Sequence, residues 1–281
     1  MGEVSYKPLI EDMTWSFSRI ESFDLCNYKW YLRYIRGLKE NDMFYTNYGV
    51  FMHDIIRKYY DGSLSKHEML PYYLTHFKEN VLGERPKQST LEKYINSGVK
   101  YLKNFEPFPY NTIAVEKKVE FEIDGIPFIG FIDYLGEKDG EYCIIDNKSR
   151  ELRPRSGREK PTLKDIELDN MLKQLYIYSE AIRELFGKYP NKLAFNCFRN
   201  GVFIEEPFNI DTFNQVKEWV KESIHKIENE ESFAPNMNQF VCSNICGLSH
   251  KCIYYLEECE ERRNDIPDGN HKMRMLDRKS T

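Results

Sequence analysis

The stretch from Val115 to Lys148 constrains the fold of this chain more than any other. Val115, Val119, Phe121 and Ile123 alternate with Glu116, Lys118, Glu120 and Glu122, the period-two pattern of a strand with one buried face. Asp124-Gly125 is a hairpin signal, with Pro127 just beyond it. Phe128 to Leu135 reads as a second strand and Tyr142 to Lys148 as a third, separated by a turn at Lys138-Asp139-Gly140. The third ends on Ile144-Ile145-Asp146-Asn147-Lys148, where buried apolar residues pass directly into charged ones.

Asp146 and Lys148 are two apart, so in a strand both side chains leave the same face. Asp133, at the end of the neighbouring strand, can reach the same point. Two carboxylates suit an oxygen-seeking Mg²⁺ ion, which takes one or two protein carboxylates and leaves its other positions to water and substrate phosphate. Such an ion activates water and neutralises charge on a phosphate, and Lys148 would orient the water or stabilise the transition state. Taken alone, Asp-x-Lys reads more readily as a surface ion pair. The helix that follows, Asp165 to Phe186, adds to the pattern: Leu168, Leu172, Leu175, Ile182 and Leu185 form its apolar stripe, and Gly187 is its stop signal. Gln174 and Tyr178 stand at i and i+4, so an amide and a phenol point the same way.

With these segments in order, the chain resembles the RecB-like PD-(D/E)XK nucleases, including the exonucleases associated with CRISPR systems and the AddB-type helicase-nuclease subunits. The resemblance runs from about Trp15 to Cys252. Ser16-Phe17-Ser18-Arg19-Ile20 and Cys26-Asn27-Tyr28-Lys29-Trp30-Tyr31-Leu32-Arg33-Tyr34 look like the family's opening helix and first cysteine. Gly49-Val50-Phe51-Met52-His53 is similar to its Gly-x-x-x-His helix, which implies that His53 binds metal. The resemblance likewise implies Glu116 as the acidic residue of the first strand, Asp133 as the metal-binding aspartate, Asp146 with Lys148 as the (D/E)-x-K pair, and Gln174 with Tyr178 as the Q-x-x-x-Y motif. It implies metal ligation by His53, Glu116, Asp133 and Asp146, with Mg²⁺ or Mn²⁺ as the ion.

Seven cysteines stand at 26, 143, 197, 242, 246, 252 and 259, without a secretory signal, so metal chemistry is favoured over a disulfide scaffold. Cys242, Cys246 and Cys252 could hold three corners of a site and Cys26 the fourth; four thiolates suit zinc or an iron-sulfur cluster. In the resembled subfamily one early and three late cysteines hold a [4Fe-4S] cluster. Here three residues separate Cys242 from Cys246 where that pattern has two; His250 is a substitute ligand and Cys259 a competitor. A cluster on Cys26 and Cys242 would close a loop of more than two hundred residues and clamp the opening helix. Cys143 and Cys197 sit in apolar strand contexts and read as buried thiols.

At 281 residues and 41% hydrophobic, the chain can bury a sizeable core. A net charge of -5 argues against a protein that coats DNA nonspecifically. Local charge points elsewhere: from Lys148 to Lys160 six Lys or Arg face two Glu. Arg150, Arg153, Arg155 and Arg158 are placed there to grip phosphates, in a segment that Pro154, Gly157 and Pro161 make a loop; a solvated loop is the bland alternative.

The expected architecture is an α/β, restriction-endonuclease-like mixed central sheet flanked by helices, with a helical cysteine-clamped cap. Residues 1–110 would form an N-terminal helical region carrying Cys26 and His53, 111–230 the nuclease core, 231–260 the cysteine cluster and 261–281 a charged tail. Ser18 to Glu21 reads as a capping box opening the helix that carries Cys26. The expected activity is metal-dependent hydrolysis of DNA, exonucleolytic and preferring single strands. A helicase, recombinase or CRISPR-adaptation protein is the expected partner, in the cytoplasm of a bacterial, archaeal or phage-infected cell, with no membrane involvement. Two other readings stay open: a non-catalytic DNA-binding or assembly subunit, and a zinc-containing RNA-processing nuclease.

Overall fold

In the computed structural model, residues 5–264 are described. The expected 261–281 tail therefore begins inside a helix, and its remainder lies outside the described residues. The chain divides into two compact units.

The larger unit, residues 1–21 and 42–231, begins with helix α1 (Lys7–Glu11) and the start of α2 (Phe17–Leu25). It continues through α4 (Phe44–Tyr60), α5 (Lys66–Asn80) and α6 (Gln88–Lys103) into the sheet. Short α3 (Asn27–Trp30) belongs to the smaller unit. The strands are β1 (Asn111–Ile123), β2 (Ile126–Lys138), β3 (Glu141–Lys148), β4 (Lys192–Cys197) and β5 (Val202–Pro207), in spatial order β1-β2-β3-β4-β5. Helix α7 (Leu163–Phe186) joins β3 to β4, and α8 (Ile210–Glu228) follows β5. The β3–β4 pair is parallel and the others antiparallel, as a helical crossover between β3 and β4 requires. Restriction-endonuclease-like α/β architecture is thus what the meander, the long helix and the Asn200-Gly201 hairpin build.

Two features of this sheet create a site. Pairing between β2 and β3 runs from Lys138↔Glu141 to Tyr134↔Ile145 and stops, so the strands part at Asp133 and Asp146. Beyond that point Trp15 takes up the freed strand edge, its N–H donating to Pro127 O and its carbonyl accepting from Ile129, each at 2.8 Å. The second feature is Glu116, which the β1–β2 ladder skips and which has φ 48°. Simple alternation places Glu116 on a solvent face; left-handed backbone at a non-glycine residue is a local strain that turns it instead.

Helix α7 matches its pattern closely. Thr162 caps it and Asp165 closes a capping box, and Gly187 ends it with φ 73°. Leu168, Leu172, Leu175 and Ile182 are buried, whereas Leu185 is 49% exposed, the last turn meeting the sheet through Phe186 on Tyr142 instead. The N-terminal capping differs from expectation: the Arg19 amide donates to Ser16 Oγ at 3.2 Å. Cys26 caps the next helix, α3, by accepting from Lys29 N at 3.5 Å.

The smaller unit, residues 22–41 and 232 onward, gathers the end of α2, α3, a π-helical turn (Tyr31–Ile35), α9 (Gln239–Asn244), a 3₁₀ turn (Ser249–Lys251) and α10 (Ile253–Asn264). The region expected at 1–110 is therefore shared between the units. Trp30 and Phe233 stack at 5.8 Å with Phe23 edge-on to Trp30, and Leu32, Leu248 and Cys246 form a small cluster. Gly247 is needed here because a Cβ would stand 2.7 Å from Asn41 O, whose own amide donates to Gly247 O at 2.9 Å. Among the described residues, no helix is long and apolar enough to cross a membrane.

Candidate active site

Three of the expected ligands meet. One donor atom each from His53, Glu116 and Asp133 lies within 4.8 Å of the others. Helix α4 supplies His53, and can lie close because Gly49 has no side chain: a Cβ there would stand 3.3 Å from Ser149 Oγ. The register places Glu116 of β1 beside Asp133 of β2, on either side of the skipped rung. His53 Nδ1 is 3.3 Å from Asp133 Oδ2, which also accepts from the Asn147 amide at 2.7 Å.

Asp146 and Lys148 adjoin this group without belonging to the three-residue set. Lys148 Nζ is 2.8 Å from Asp146 Oδ2 and donates to Gln174 Oε1 at 2.6 Å. That aspartate oxygen is buried and lacks a partner in hydrogen-bonding geometry; the ammonium attracts it without satisfying it. Gln174 Nε2 in turn donates to Tyr178 OH at 3.4 Å, so the i, i+4 pair on α7 orients the lysine. Tyr178 lies flat against β2 because residue 130 is glycine: a Cβ would stand 2.4 Å from the ring.

Electrostatics divide these groups by role. Burial, and then the neighbouring Asp146 charge, hold the Asp133 carboxyl well above the usual carboxylate range. Burial and Asp133 raise Glu116 in the same way. Burial lowers His53, so its imidazole is neutral at neutral pH and its contact with Asp133 is not an ion pair; a neutral ring offers a lone pair to a metal. For Lys148 burial alone would lower the pKa, but Asp146 and Asp133 outweigh it and hold the ammonium above its ordinary value. Tyr178 is pushed up to about 12 by burial and stays a neutral donor. Clustered carboxylates that resist ionisation, with an orphaned oxygen beside them, fit a divalent cation. A neutral imidazole with two or three carboxylates is a donor set for Mg²⁺ or Mn²⁺.

Support for the site includes residues that motif spacing does not reveal. Asn196 of β4 donates its amide to Asn147 Oδ1 and to Tyr101 OH, each at 2.7 Å. This buried chain fixes Asn147, whose backbone holds Asp133. The one sequence sign was an asparagine inside apolar Phe195-Asn196-Cys197.

The arginines of the 149–162 loop part company. Arg155 is engaged twice, with Asp169 at 2.6 Å and Glu206 at 2.8 Å, so it ties the loop to α7 and β5. Arg150 lies 3.8 Å from Glu167 and leans on Met171. Arg153 and Arg158 are exposed, with no side-chain partner among the described residues.

In the smaller unit Cys26, Cys242, Cys246 and Cys252 are all free thiols, the last three buried. Burial raises Cys242, Cys246 and Cys252; among the lesser causes, Cys26 acts on Cys242 and Cys252, Cys242 on Cys246 and Cys259 on Cys242, so the four lie near one another with Cys259 beside Cys242. Not engaged in disulfides, they form a donor set that suits a thiolate-bound metal group. Cys143 and Cys197 are buried in the sheet with pKa values pushed up by burial to about 12 and 11, as inert thiols should be.

A helix-borne histidine, three strand carboxylates and a lysine held by a Gln–Tyr pair, at the point where two strands of such a sheet diverge, make up a hydrolytic nuclease site of the restriction-endonuclease-like class. The sequence profile of the PD-(D/E)XK nuclease superfamily matches residues 14–253, and the chain belongs to that superfamily. No curated protein matches it significantly. Among solved structures, an exonuclease candidate from Eubacterium rectale is 12% identical with a TM-score of 0.49, covering 89% of this chain and 91% of its own. A structure named SSO0001 is 16% identical with a TM-score of 0.30, covering 85% and 95%.

Proposed function

We propose that the protein is a Mg²⁺- or Mn²⁺-dependent deoxyribonuclease that acts exonucleolytically on single-stranded DNA. The observation that carries this is the meeting of His53, Glu116 and Asp133 within 4.8 Å beside the Lys148–Asp146 pair. When bound, the divalent ion supplies charge neutralisation on the phosphate and acidifies water. His53, Glu116 and Asp133 would hold it, with Asp146 as the adjoining carboxylate. Lys148 is kept protonated, so it serves as a fixed positive charge beside the reacting phosphate and not as a proton acceptor. Gln174 and Tyr178 orient that ammonium, and exposed Arg153 and Arg158 attract the flanking backbone.

DNA as substrate, exonuclease mode and single-strand preference are supported by the resemblance to RecB-like nucleases, as is a helicase, recombinase or CRISPR-adaptation partner. In the smaller unit we read the four cysteines as ligands of a structural [4Fe-4S] cluster.

End-labelled single- and double-stranded DNA incubated with wild-type and Lys148→Ala protein in Mg²⁺, Mn²⁺ or EDTA tests the activity. Metal-dependent cleavage that falls at least a hundredfold in the variant is expected; full activity in the variant would refute the site, and cleavage of RNA alone would replace the substrate. For the cluster, anaerobically purified Cys246→Ser should lose iron, colour and several degrees of melting temperature. Unchanged iron content or zinc in the wild type would remove it.

A further inference from the structure

The cleft over the metal-binding group has walls that metal binding does not explain. A cavity of about 640 Å³ is lined by His53 and Glu116 on one side of the chemistry and by Tyr45, Val50 and Phe131 beyond it. Val50 is 63% exposed and Phe131 54%. Single exposed apolar side chains are ordinary; the position of these two is not. Val50 is three residues before His53 on α4, one helical turn away on the same side. Phe131 is two residues before Asp133 on β2, on the same face and about 7 Å along the strand. Each apolar side chain therefore stands one step from a metal-binding residue, and the two border one cleft.

In a duplex both faces of every base are covered by its stacking neighbours. A base resting on the exposed Phe131 ring therefore belongs to a nucleotide that has left the stack and can offer a bare face. Aromatic side chains accept any base in this way, since every base has a π-face. Opposite Phe131 in the register stands exposed Lys118, a cation beside the ring for the backbone of the same nucleotide.

Resting on the nuclease reading above, we infer that Phe131 and Val50 clamp one unpaired nucleobase beside the phosphate at the metal site, and that this clamp is what makes the protein prefer single strands. Val50 fills an unspecified position of the Gly-x-x-x-His motif and Phe131 belongs to none, so no expected motif gives either residue a role.

Binding separates the clamp from the chemistry. A fluorescein-labelled single-stranded oligonucleotide and its duplex are titrated in EDTA with wild-type, Phe131→Ala and Phe131→Trp protein, and an abasic residue is walked along the single strand. Because Phe131 is exposed, unchanged melting temperatures are expected. Phe131→Ala should bind the single strand about tenfold more weakly and the duplex as before, and Phe131→Trp should restore the difference. At one abasic position wild-type affinity should drop to that of Phe131→Ala, which loses nothing further there. Equal weakening on both DNAs, or independent effects at every abasic position, would overturn the clamp. If the wild type cleaves and these results are negative, the clamp fails alone; if it shows the clamp yet never cleaves in Mg²⁺ or Mn²⁺, the nuclease reading fails alone.

Discussion

Asp133 and Asp165 are carboxylates of the same unit, both largely shielded from water, and the fold treats them in opposite ways. Asp165 accepts four hydrogen bonds, from Ser156 N and Oγ at 2.7 Å each, Thr162 N at 2.6 Å and Thr162 Oγ1 at 2.7 Å. It also sits in the first turn of α7, where the helix dipole favours negative charge. Those bonds, led by the Thr162 hydroxyl, hold its pKa well below the usual range. Asp133 receives one backbone amide at 2.7 Å and has His53 Nδ1 at 3.3 Å, yet burial and the Asp146 charge prevail and its pKa is raised. The loop-to-helix joint is a finished structure, while the cleft is electrostatically incomplete until a cation enters. The strained φ of Glu116 falls on the incomplete side, as strain at working sites does.

The largest effect that would break this contrast comes from Asp133→Asn. Cleavage should fall by two or more orders of magnitude, in line with removal of a group acting on the transition state. Metal-free stability should move the other way. Between the ordinary aspartate pKa of about 3.9 and its raised native value, folded Asp133 binds more protons than the unfolded chain, so metal-free wild-type protein loses stability as pH rises through that window. The asparagine lacks that loss. Thermal melts in EDTA should show the variant about 2–4 °C more stable near pH 7 and level with wild type near pH 4. A variant less stable at pH 7 would mean that Asp133 is a structural residue like Asp165.

Asp165→Asn should behave inversely. Its carboxylate is favoured in the folded state, so its contribution is present above the ordinary aspartate pKa and fades as pH falls through that value toward the lower native one. The variant should melt about 2–4 °C below wild type at pH 7, with the gap closing in acid, while keeping its metal-dependent activity per folded molecule. A metal-dependent change in that gap would sink the idea that the joint and the cleft are separate devices.

The same division explains what was legible in the sequence. Strands β1 to β3 and helix α7 were readable because their signals are local: period two and period 3.6. Five of the active-site side chains were readable because their spacing places them on one strand end or one helix face, at Asp146 and Lys148, at Gln174 and Tyr178, and at Asp133 on the adjoining strand. What was hidden depends on distant partners. Glu116 alternates like a solvent residue, and only its left-handed backbone gives it another direction. Gly130 is required by a tyrosine 48 residues later, and Asn147 gains its role from Asn196 and Tyr101. Leu185 belongs to the stripe of α7, yet in that last turn Phe186 is the residue that meets the sheet, on Tyr142.

Charge in the 149–162 loop is the subtlest case, because composition cannot tell a free arginine from a paired one. Arg155 is spoken for by Asp169 and Glu206, whereas Arg153 and Arg158 are exposed, with no side-chain partner among the described residues. Replacing Arg153 and Arg158 with Ala should weaken binding of single-stranded DNA uniformly across sequences. It should also flatten the dependence of log affinity on log salt by about 0.7 for each phosphate no longer neutralised, with no change in melting temperature. Arg155→Ala should leave that slope where it is and lower the melting temperature by about 1–2 °C, the small effect expected of a partly exposed ion-pair network. If Arg155→Ala were the variant that flattened the slope, its ion pairs would have to open to admit DNA, and the loop would belong with the unfinished cleft instead of the finished joint.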